Sequence, residues 1–204
     1  MVGQRALAPL IGVRIPASQQ KMKKFDKLKK EILNTLKKSP LDFEIIHAQL
    51  VHKWVLVLKP NADEALQTAA LSHDIDRAIT KITEKDLKDF SKIDEFKKEH
   101  AERSAKFISE ILEKFNYSDL VIKKVKLLVT KHEVGGDKES DILRDADSIA
   151  YFEYNIPSYL KRNGQERTKS RIKFMFERMS SKAKKIVKSL NNVNPEVRIM
   201  IDEL

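Results

Sequence analysis

Apolar side chains recur at intervals of three and four residues along most of this chain of 204 residues. This interval is the period of a helix that buries one face, whereas a half-buried strand alternates at every second residue. Only five glycines and six prolines interrupt the pattern, so few positions favour the tight turns between strands. The spacing therefore predicts an all-α fold, a bundle of helices.

Capping residues and helix-breaking residues set the expected helix boundaries. Asp63 and Ser118 stand where N-caps are expected, and Pro157 and Gly164 mark breaks near the end of the chain. The predicted helices cover residues 23–38, 41–58, 63–81, a short one from 84, 93–115, 118–132, 140–154 and 165–190.

The absence of cysteine removes several chemistries at once. A chain without thiols holds no disulfide, no iron–sulfur cluster and no cysteine nucleophile, and it binds any metal through nitrogen and oxygen. Hydrophobic residues make up 41% of the chain, enough for one core. Because no apolar run reaches about 18 residues, we expect no membrane span and place the protein in the cytoplasm by default.

Positive charge is concentrated at the two ends of the chain, whose net charge is +10. Residues 1–38 carry ten basic and two acidic side chains, and residues 161–188 carry eleven basic and two acidic ones. The stretch between them is acidic overall, and we expect it to hold the working site. The predicted organisation is a flexible N-terminal extension of residues 1–21, a catalytic helical domain of 22–160, and basic C-terminal helices of 161–204 packed on the same domain. The extension would fit an organellar presequence or an upstream start.

Four of the five histidines fall on apolar stripes, each on a different predicted helix. These four are His47, His73, His100 and His132. One inward-facing histidine is usually a core residue with a satisfied hydrogen bond. Four buried imidazoles without partners would cost about 1 to 3 kcal/mol each. A metal ion shared with carboxylates would satisfy them together.

Carboxylates suited to the same ion accompany these histidines. Asp74 directly follows His73, and Asp145 and Asp147 lie within an otherwise apolar helical segment. Both of the latter fall on apolar stripes, so periodicity does not choose between them. A ligand set of imidazole and carboxylate suits Mn, Fe, Co, Ni or Zn, and also Mg if water completes the coordination.

In this order the residues resemble the HD-domain superfamily of metal-dependent phosphohydrolases. The superfamily pattern is a histidine, a His-Asp doublet and a distant aspartate that bind one metal inside a helical bundle. The matching positions are His47, His73, Asp74 and Asp147. Two segments carry the likeness, Ala69-Ala-Leu-Ser-His-Asp-Ile and Asp145-Ala-Asp-Ser-Ile-Ala-Tyr. The resemblance covers roughly residues 40 to 160, implies an HD-like bundle, and selects Asp147 over Asp145.

Branches of the superfamily with two metals add histidines between the doublet and the last aspartate, and His100 and His132 occupy such positions. The resemblance thus implies one or two ions per chain, with these two histidines on the second ion. Asp74 would bridge the ions and is the implied catalytic residue. Asp76 stands where a glycine often follows, and a Gly-Tyr-Pro segment is lacking. A cyclic-dinucleotide phosphodiesterase is therefore disfavoured, and the subfamily is left unassigned.

The implied reaction is hydrolysis of a phosphate ester of a small metabolite, a nucleotide being favoured, by water activated on the metal. Basic side chains beside the motifs are candidates to bind the substrate phosphate. In order of preference they are Arg77, Lys131, Arg103 and Arg144. Glu99 and Glu133 each stand beside a predicted ligand, where they would orient it or transfer a proton.

Two alternatives remain open. Some superfamily branches with the same histidines and aspartates are di-iron oxygenases, which would bind iron and consume oxygen. A non-catalytic nucleic-acid-binding module on an HD scaffold would explain the basic ends. This second alternative is not favoured, because only Phe174 and Phe176 lie among the basic residues of the C-terminal helix. We expect no membrane partner, and the sequence predicts no oligomeric state.

Overall fold

The computed structural model describes residues 16–191 and 194–204. Within these ranges every regular element is a helix, which confirms the all-α prediction. The α-helices are α1 (Ala17–Leu36), α2 (Glu44–Leu58), α3 (Glu64–Ser72), α4 (Ile75–Thr80), α5 (Ile93–Lys114), α6 (Asp119–Lys131), α7 (Lys138–Ala150), α8 (Ile156–Glu177), α9 (Ser181–Ser189) and α10 (Pro195–Asp202). No helix in the described part of the chain is long and apolar enough to cross a membrane.

Helix α3 lies at the centre of the bundle and packs against α1, α2, α6 and α7. Its buried residues include three small side chains, Ala65, Ala69 and Ala70, beside Leu66 and Leu71. Because alanine adds only a methyl group, neighbouring helices approach α3 closely. The C-terminal end of α3 is therefore surrounded by other helices, and His73 is its C-cap residue.

The single helix predicted over residues 63–81 is wrong, because two helices, α3 and α4, occupy this stretch. Asp63 caps α3 as expected and accepts a hydrogen bond from the Leu66 N–H at 3.0 Å. The helical path ends at Asp74, which has φ −105° and ψ 15°. The chain therefore turns at the His73-Asp74 doublet without a glycine or proline to signal the turn.

The helix predicted over residues 165–190 is also wrong, because α8 and α9 divide this region. Helix α8 starts earlier than expected, and Pro157 lies in its first turn. Gly164, with φ 77° and ψ 175°, is not helical and divides α8 into two arms at a kink, so the predicted break at this residue is confirmed. Ser180 caps α9 through the Ala183 N–H. The final helix, α10, was not predicted.

Both ends of the predicted domain differ from the structure in detail. Helix α1 begins at Ala17 rather than at residue 23, so residues 17–21 of the predicted extension are helical. Residues 1–15 lie outside the described ranges. The predicted boundary between residues 160 and 161 falls inside α8. The short helix expected from residue 84 is a single 3-10 turn, Glu84–Asp86.

Candidate metal centre

The four inward-facing histidines come together from four helices. His47 lies within α2 and His100 within α5, while His73 and His132 stand at the C-terminal ends of α3 and α6. All four are at most 4% exposed, which confirms that they face the core. Their ring centroids form a chain with spacings of 5.3, 5.2 and 5.7 Å in the order His47, His73, His132, His100. The prediction of a shared histidine cluster therefore has a physical counterpart.

Two adjacent groups of side chains in this cluster could each hold a metal ion. Within each group the candidate ligand atoms lie within 4.8 Å of one another. One group consists of His47, His73 and Asp147, and the other of Asp74, His100 and His132. Each group thus combines two imidazoles with one carboxylate, the donor set that Zn, Mn, Fe, Co and Ni accept.

Short contacts already join the carboxylates to the ring nitrogens. The Oδ1 atom of Asp147 is 3.0 Å from Nε2 of His47 and 3.7 Å from Nε2 of His73. The Oδ1 atom of Asp74 is 2.7 Å from Nε2 of His100 and 3.8 Å from Nε2 of His132. Every one of these contacts uses Nε2, so the four imidazoles present the same atom to the carboxylates.

The other ring nitrogen, Nδ1, is held by a hydrogen bond in each of the four histidines. His73 donates to the Ala70 carbonyl at 3.1 Å, and His132 donates to the Val129 carbonyl at 2.7 Å. Because a carbonyl oxygen only accepts, these two rings carry a proton on Nδ1, which leaves Nε2 as the candidate ligand atom. A hydrogen bond of this kind fixes the orientation and tautomer of a metal-ligating histidine.

Side-chain oxygens hold the remaining two rings. His47 donates from Nδ1 to Oδ1 of Asn155 at 3.1 Å, and His100 donates from Nδ1 to Oδ1 of Asp76 at 2.7 Å. Asn155 lies in a π-helical turn, Tyr151–Asn155, that joins α7 to α8. The same turn follows Asp147, so one continuous helical segment reaches His47 from both sides of its ring.

His73 provides the test of whether a cation fits. Its Nε2 atom is buried and has no hydrogen-bond partner among residues 16–191 and 194–204. Burial lowers the pKa of His73 to about 4, so the ring is neutral at physiological pH. A buried lone pair without a donor costs free energy. A metal ion beside Asp147 would satisfy it, so these residues fit a metal.

The carboxylates of both groups are ionised. Burial opposes ionisation of Asp74, but the positive charge of Arg77 outweighs it and holds the pKa of Asp74 well below its usual range. Burial likewise opposes ionisation of Asp147, whose pKa is lowered by the hydrogen bond and charge of His47. Buried negative charge of this kind attracts a cation.

The structure distinguishes the two aspartates that periodicity could not. Asp147 lies in the first ligand group. Asp145 is also buried, but its Oδ1 atom accepts a hydrogen bond from the Ser180 N–H at 3.0 Å and anchors the start of α9. Asp147, which the resemblance implies, therefore lies beside His47 and His73, and Asp145 belongs to neither ligand group.

The four candidate phosphate-binding residues fall in different surroundings. Arg77 pairs with Asp74 and lies 3.3 Å from Glu44. Arg103 donates from Nε to Oδ2 of Asp76 at 2.7 Å and so contacts the residue that holds His100. The other two pair elsewhere: Nζ of Lys131 is 3.1 Å from Asp137, and Arg144 donates to the Val134 carbonyl at 2.9 Å. Arg77 alone of these four is seen in contact with a candidate ligand among the described residues.

Arg178, which the sequence analysis did not single out, also borders the first group. It follows α8, and its Nη2 atom is 3.8 Å from Oδ2 of Asp147 and 3.3 Å from Oγ of Ser148. Its Nε atom is buried with no partner in the described part of the chain. Its position depends on the path of α8, to which the local sequence gives no clue.

Glu133 and Glu99, both named from sequence, differ in burial. Glu133 is ionised: burial opposes this, but His132 and Lys97 lower its pKa to about 2. Its Oε2 atom lies 2.9 Å from Nζ of Lys97 and 3.6 Å from Nη1 of Arg178. Glu99 is 59% exposed and pairs with Arg103 at 3.3 Å. Glu133 therefore belongs to the charged surroundings of the centre, and Glu99 lies at its surface.

Glu44 is a further residue that the sequence analysis missed. It begins α2 one turn before His47, is 2% exposed, and approaches Arg77 through Oε1. Its Oε2 atom has no partner within the described residues. Burial raises the pKa of Glu44 to about 7 despite the opposing charge of Arg77. An acidic residue at this spacing from His47 was the available signal.

Comparison with known proteins identifies one family. A family model described as a domain of unknown function (DUF4202) matches residues 19–201. The match spans every helix from α2 to α9 and therefore includes both ligand groups. No curated protein and no solved structure matches the chain significantly.

Proposed function

We propose that this chain, which belongs to the DUF4202 family, is a metal-dependent phosphohydrolase that cleaves the phosphate ester of a small metabolite, a nucleotide being the favoured substrate. One observation carries the proposal: two adjacent groups of two imidazoles and one carboxylate, buried, with every Nε2 directed at a carboxylate. The residues also follow the order of the HD-domain pattern, so we propose an HD-type bundle as the scaffold.

The ligand sets assign a holder to each ion. His47, His73 and Asp147 would hold one ion, and Asp74, His100 and His132 would hold a second. When bound, such ions supply an activated water molecule and polarise a phosphoryl oxygen. Asp74 lies 3.4 Å from Nε2 of His73 as well as beside His100. Asp74 thus lies beside histidines of both groups, which supports the bridging role that the resemblance implies for it.

Two guanidinium groups are placed to bind the substrate phosphate. Arg77 contacts Asp74 on the side of the second group, and Arg178 approaches Asp147 on the side of the first. Guanidinium groups form paired hydrogen bonds with phosphate oxygens. Arg77 and Arg178 would therefore hold the phosphate between them, over the two ligand groups.

Glu44 supplies the proton that the leaving alcohol needs. A general acid works best when its pKa lies near the operating pH, and burial brings the pKa of Glu44 to about 7. Its Oε2 atom is not engaged by any described residue, so it keeps a free oxygen for a proton. Arg77, which contacts both Glu44 and Asp74, links this acid to the phosphate site.

The test is metal-dependent release of inorganic phosphate. The protein, stripped of metal and reloaded in turn with Mn, Fe, Co, Ni, Zn or Mg, is assayed on a panel of phosphomonoesters that includes nucleotides. His73→Ala and Asp74→Ala are expected to lose both bound metal and turnover. His52→Ala is the matched control, because His52 pairs with Gln67 at 3.1 Å and belongs to neither group.

The outcomes separate the proposal from its alternatives. Full activity in His73→Ala or Asp74→Ala contradicts the proposed function. So does the absence of phosphate release with all of the esters and all of the metals. The two ligand groups also suit a di-iron oxygenase. Iron retained after aerobic purification, together with oxygen uptake on an organic substrate, would favour that function. Nucleic-acid binding stays a prediction, and it would weaken steeply between about 50 and 200 mM salt.

A further inference from the structure

A shallow, open groove lies along α8. It has a volume of about 400 Å³, within the range of small-molecule sites. Its lining consists of two aromatic rings, two guanidinium groups and two small or acidic side chains: Tyr159, Phe174, Arg167, Arg171, Ser170 and Glu166. Tyr159 precedes the kink at Gly164 and the others follow it. The groove therefore lies at the kink, between residues of the two arms of α8.

Two paths of contacts connect this groove to the first ligand group. The guanidinium carbon of Arg178 lies over the ring of Phe174, 5.8 Å from the ring centroid, and the same guanidinium approaches Asp147. Tyr151 lies one helical turn beyond Asp147 and forms the second path. Its ring is 6.4 Å from that of Tyr159 and 5.6 Å from the guanidinium of Arg171. The lining of the groove therefore contacts Arg178 and Tyr151, which lie next to the first ligand group.

The groove also contains polar capacity that the fold does not use. Nε of Arg171 is buried and has no hydrogen-bond partner in residues 16–191 and 194–204. Phe174 is 53% exposed and turns an open aromatic surface to the groove. Aromatic rings flanked by arginines bind planar rings by stacking and cation–π contact, with little preference among bases. An aliphatic group would gain neither interaction.

We propose that the α8 groove binds a planar aromatic ring on the leaving group of the substrate, as in a nucleoside monophosphate, while the phosphate lies at the metal centre. This inference rests on the proposed function and narrows its substrate class to phosphate esters that carry such a ring. Phe174 provides the stacking surface, and Arg171 contacts the ring or its polar edge. Both are specificity residues, since they contact the part of the substrate that does not react.

The test compares three esters under metal-loaded conditions: AMP, UMP and ribose 5-phosphate. Ribose 5-phosphate keeps the sugar and phosphate but lacks the base. Phe174→Ala is expected to raise KM for AMP and UMP by about 5- to 100-fold, the loss of one stacked base. KM for ribose 5-phosphate should stay within about twofold of the wild-type value, because this ester has no ring to lose contact with residue 174. Arg171→Gln is expected to act in the same direction.

A matched control and a binding measurement complete the experiment. Lys173→Ala removes an exposed cation next to Phe174 on the same helix and should change none of the three KM values. Calorimetric titration with adenosine, which has no phosphate to hydrolyse, should show binding to the wild type and to Lys173→Ala, and a weaker affinity for Phe174→Ala.

The results distinguish failure of the groove assignment from failure of the proposed hydrolase. Equal KM values for AMP and ribose 5-phosphate, or KM values for AMP that Phe174→Ala does not change, would overturn the role of the groove while the hydrolase stands. Absence of metal-dependent phosphate release from all three esters and from the wider panel would overturn the proposed function and the ring assignment with it.

Discussion

The substitution Asp76→Asn tests how the second ligand group is supported. Asp76 is fully buried, at 0% exposure, and its two oxygens each accept one hydrogen bond at 2.7 Å, from Nδ1 of His100 and from Nε of Arg103. Asparagine keeps the shape but replaces one oxygen by an NH₂ group. If the amide oxygen stays on His100, the NH₂ faces another donor on Arg103. Arg103 is 27% exposed and can turn to solvent.

The expected effect is on metal affinity rather than on the fold. Burial and Arg77 oppose protonation of His100, but its hydrogen bonds to Asp74 and Asp76 outweigh them and raise its pKa to about 9. Replacing the buried charge of Asp76 by a neutral amide makes Nε2 of His100 a weaker base and a weaker ligand. Loss of such a supporting carboxylate typically lowers metal affinity about 10- to 100-fold. This corresponds to about 1.4 to 2.7 kcal/mol.

Calorimetric titration of the metal-free protein with Mn²⁺ or Zn²⁺ measures this effect, with thermal unfolding as the check on folding. The binding step of the ion held by Asp74, His100 and His132 should weaken in Asp76→Asn, while the ion held by His47, His73 and Asp147 keeps its affinity. Glu99→Gln is the control, because it removes a charge from the same Arg103 guanidinium without touching His100. Wild-type affinity for both ions in a folded Asp76→Asn protein would refute the reasoning, and so would equal weakening of both.

Three further predictions follow from the same geometry. Glu44→Gln should lower kcat by about 100-fold or more and leave the metal content unchanged. Steady-state kinetics and elemental analysis measure these two quantities. An unchanged kcat would show that Glu44 does not transfer the proton. The pKa of His100 is raised to about 9, so below that pH a proton competes with the second ion for this histidine. The affinity of the protein for the second ion should therefore fall by up to about tenfold for each unit by which the pH drops. Equilibrium dialysis at several pH values measures this affinity, and an affinity independent of pH would contradict the prediction. Gly135 has φ 72°, and a Cβ there would meet the carboxylate of Asp141 and the guanidinium of Arg144. Gly135→Ala should therefore lower the free energy of unfolding, measured by urea titration, by at least about 1 to 2 kcal/mol. Stability equal to that of the wild type would show that the turn rearranges without cost.

Periodicity predicted the helices and the four buried histidines, because both depend on which face of a helix is apolar. His47 and His100 needed no more information than the spacing of their own helices. The break at Asp74 was missed, since no glycine or proline marks it and the turn depends on contacts with Arg77 and His100. Local propensity was overridden there by tertiary contacts.

Contacts between distant parts of the chain explain the other differences. Asp145 and Asp147 both lie on apolar stripes, and only the approach of Ser180 shows that Asp145 anchors a helix instead of joining the ligands. Asn155 and Arg178 were not predicted for the same reason. Asn155 depends on a π-helical turn. Arg178 depends on where the kinked α8 brings its last residues.

The π-helical turn between α7 and α8 constrains how this protein can change length over evolution. Asp147 and Asn155 hold opposite ring nitrogens of His47, at 3.0 and 3.1 Å, although both lie on one continuous helical segment. Each residue added to or removed from a helix rotates everything beyond it by about 100°. A single insertion or deletion between these two positions would turn Asn155 away from the ring. Loops elsewhere can gain or lose residues, but the number of residues between Asp147 and Asn155 is fixed because both contact the ring of His47.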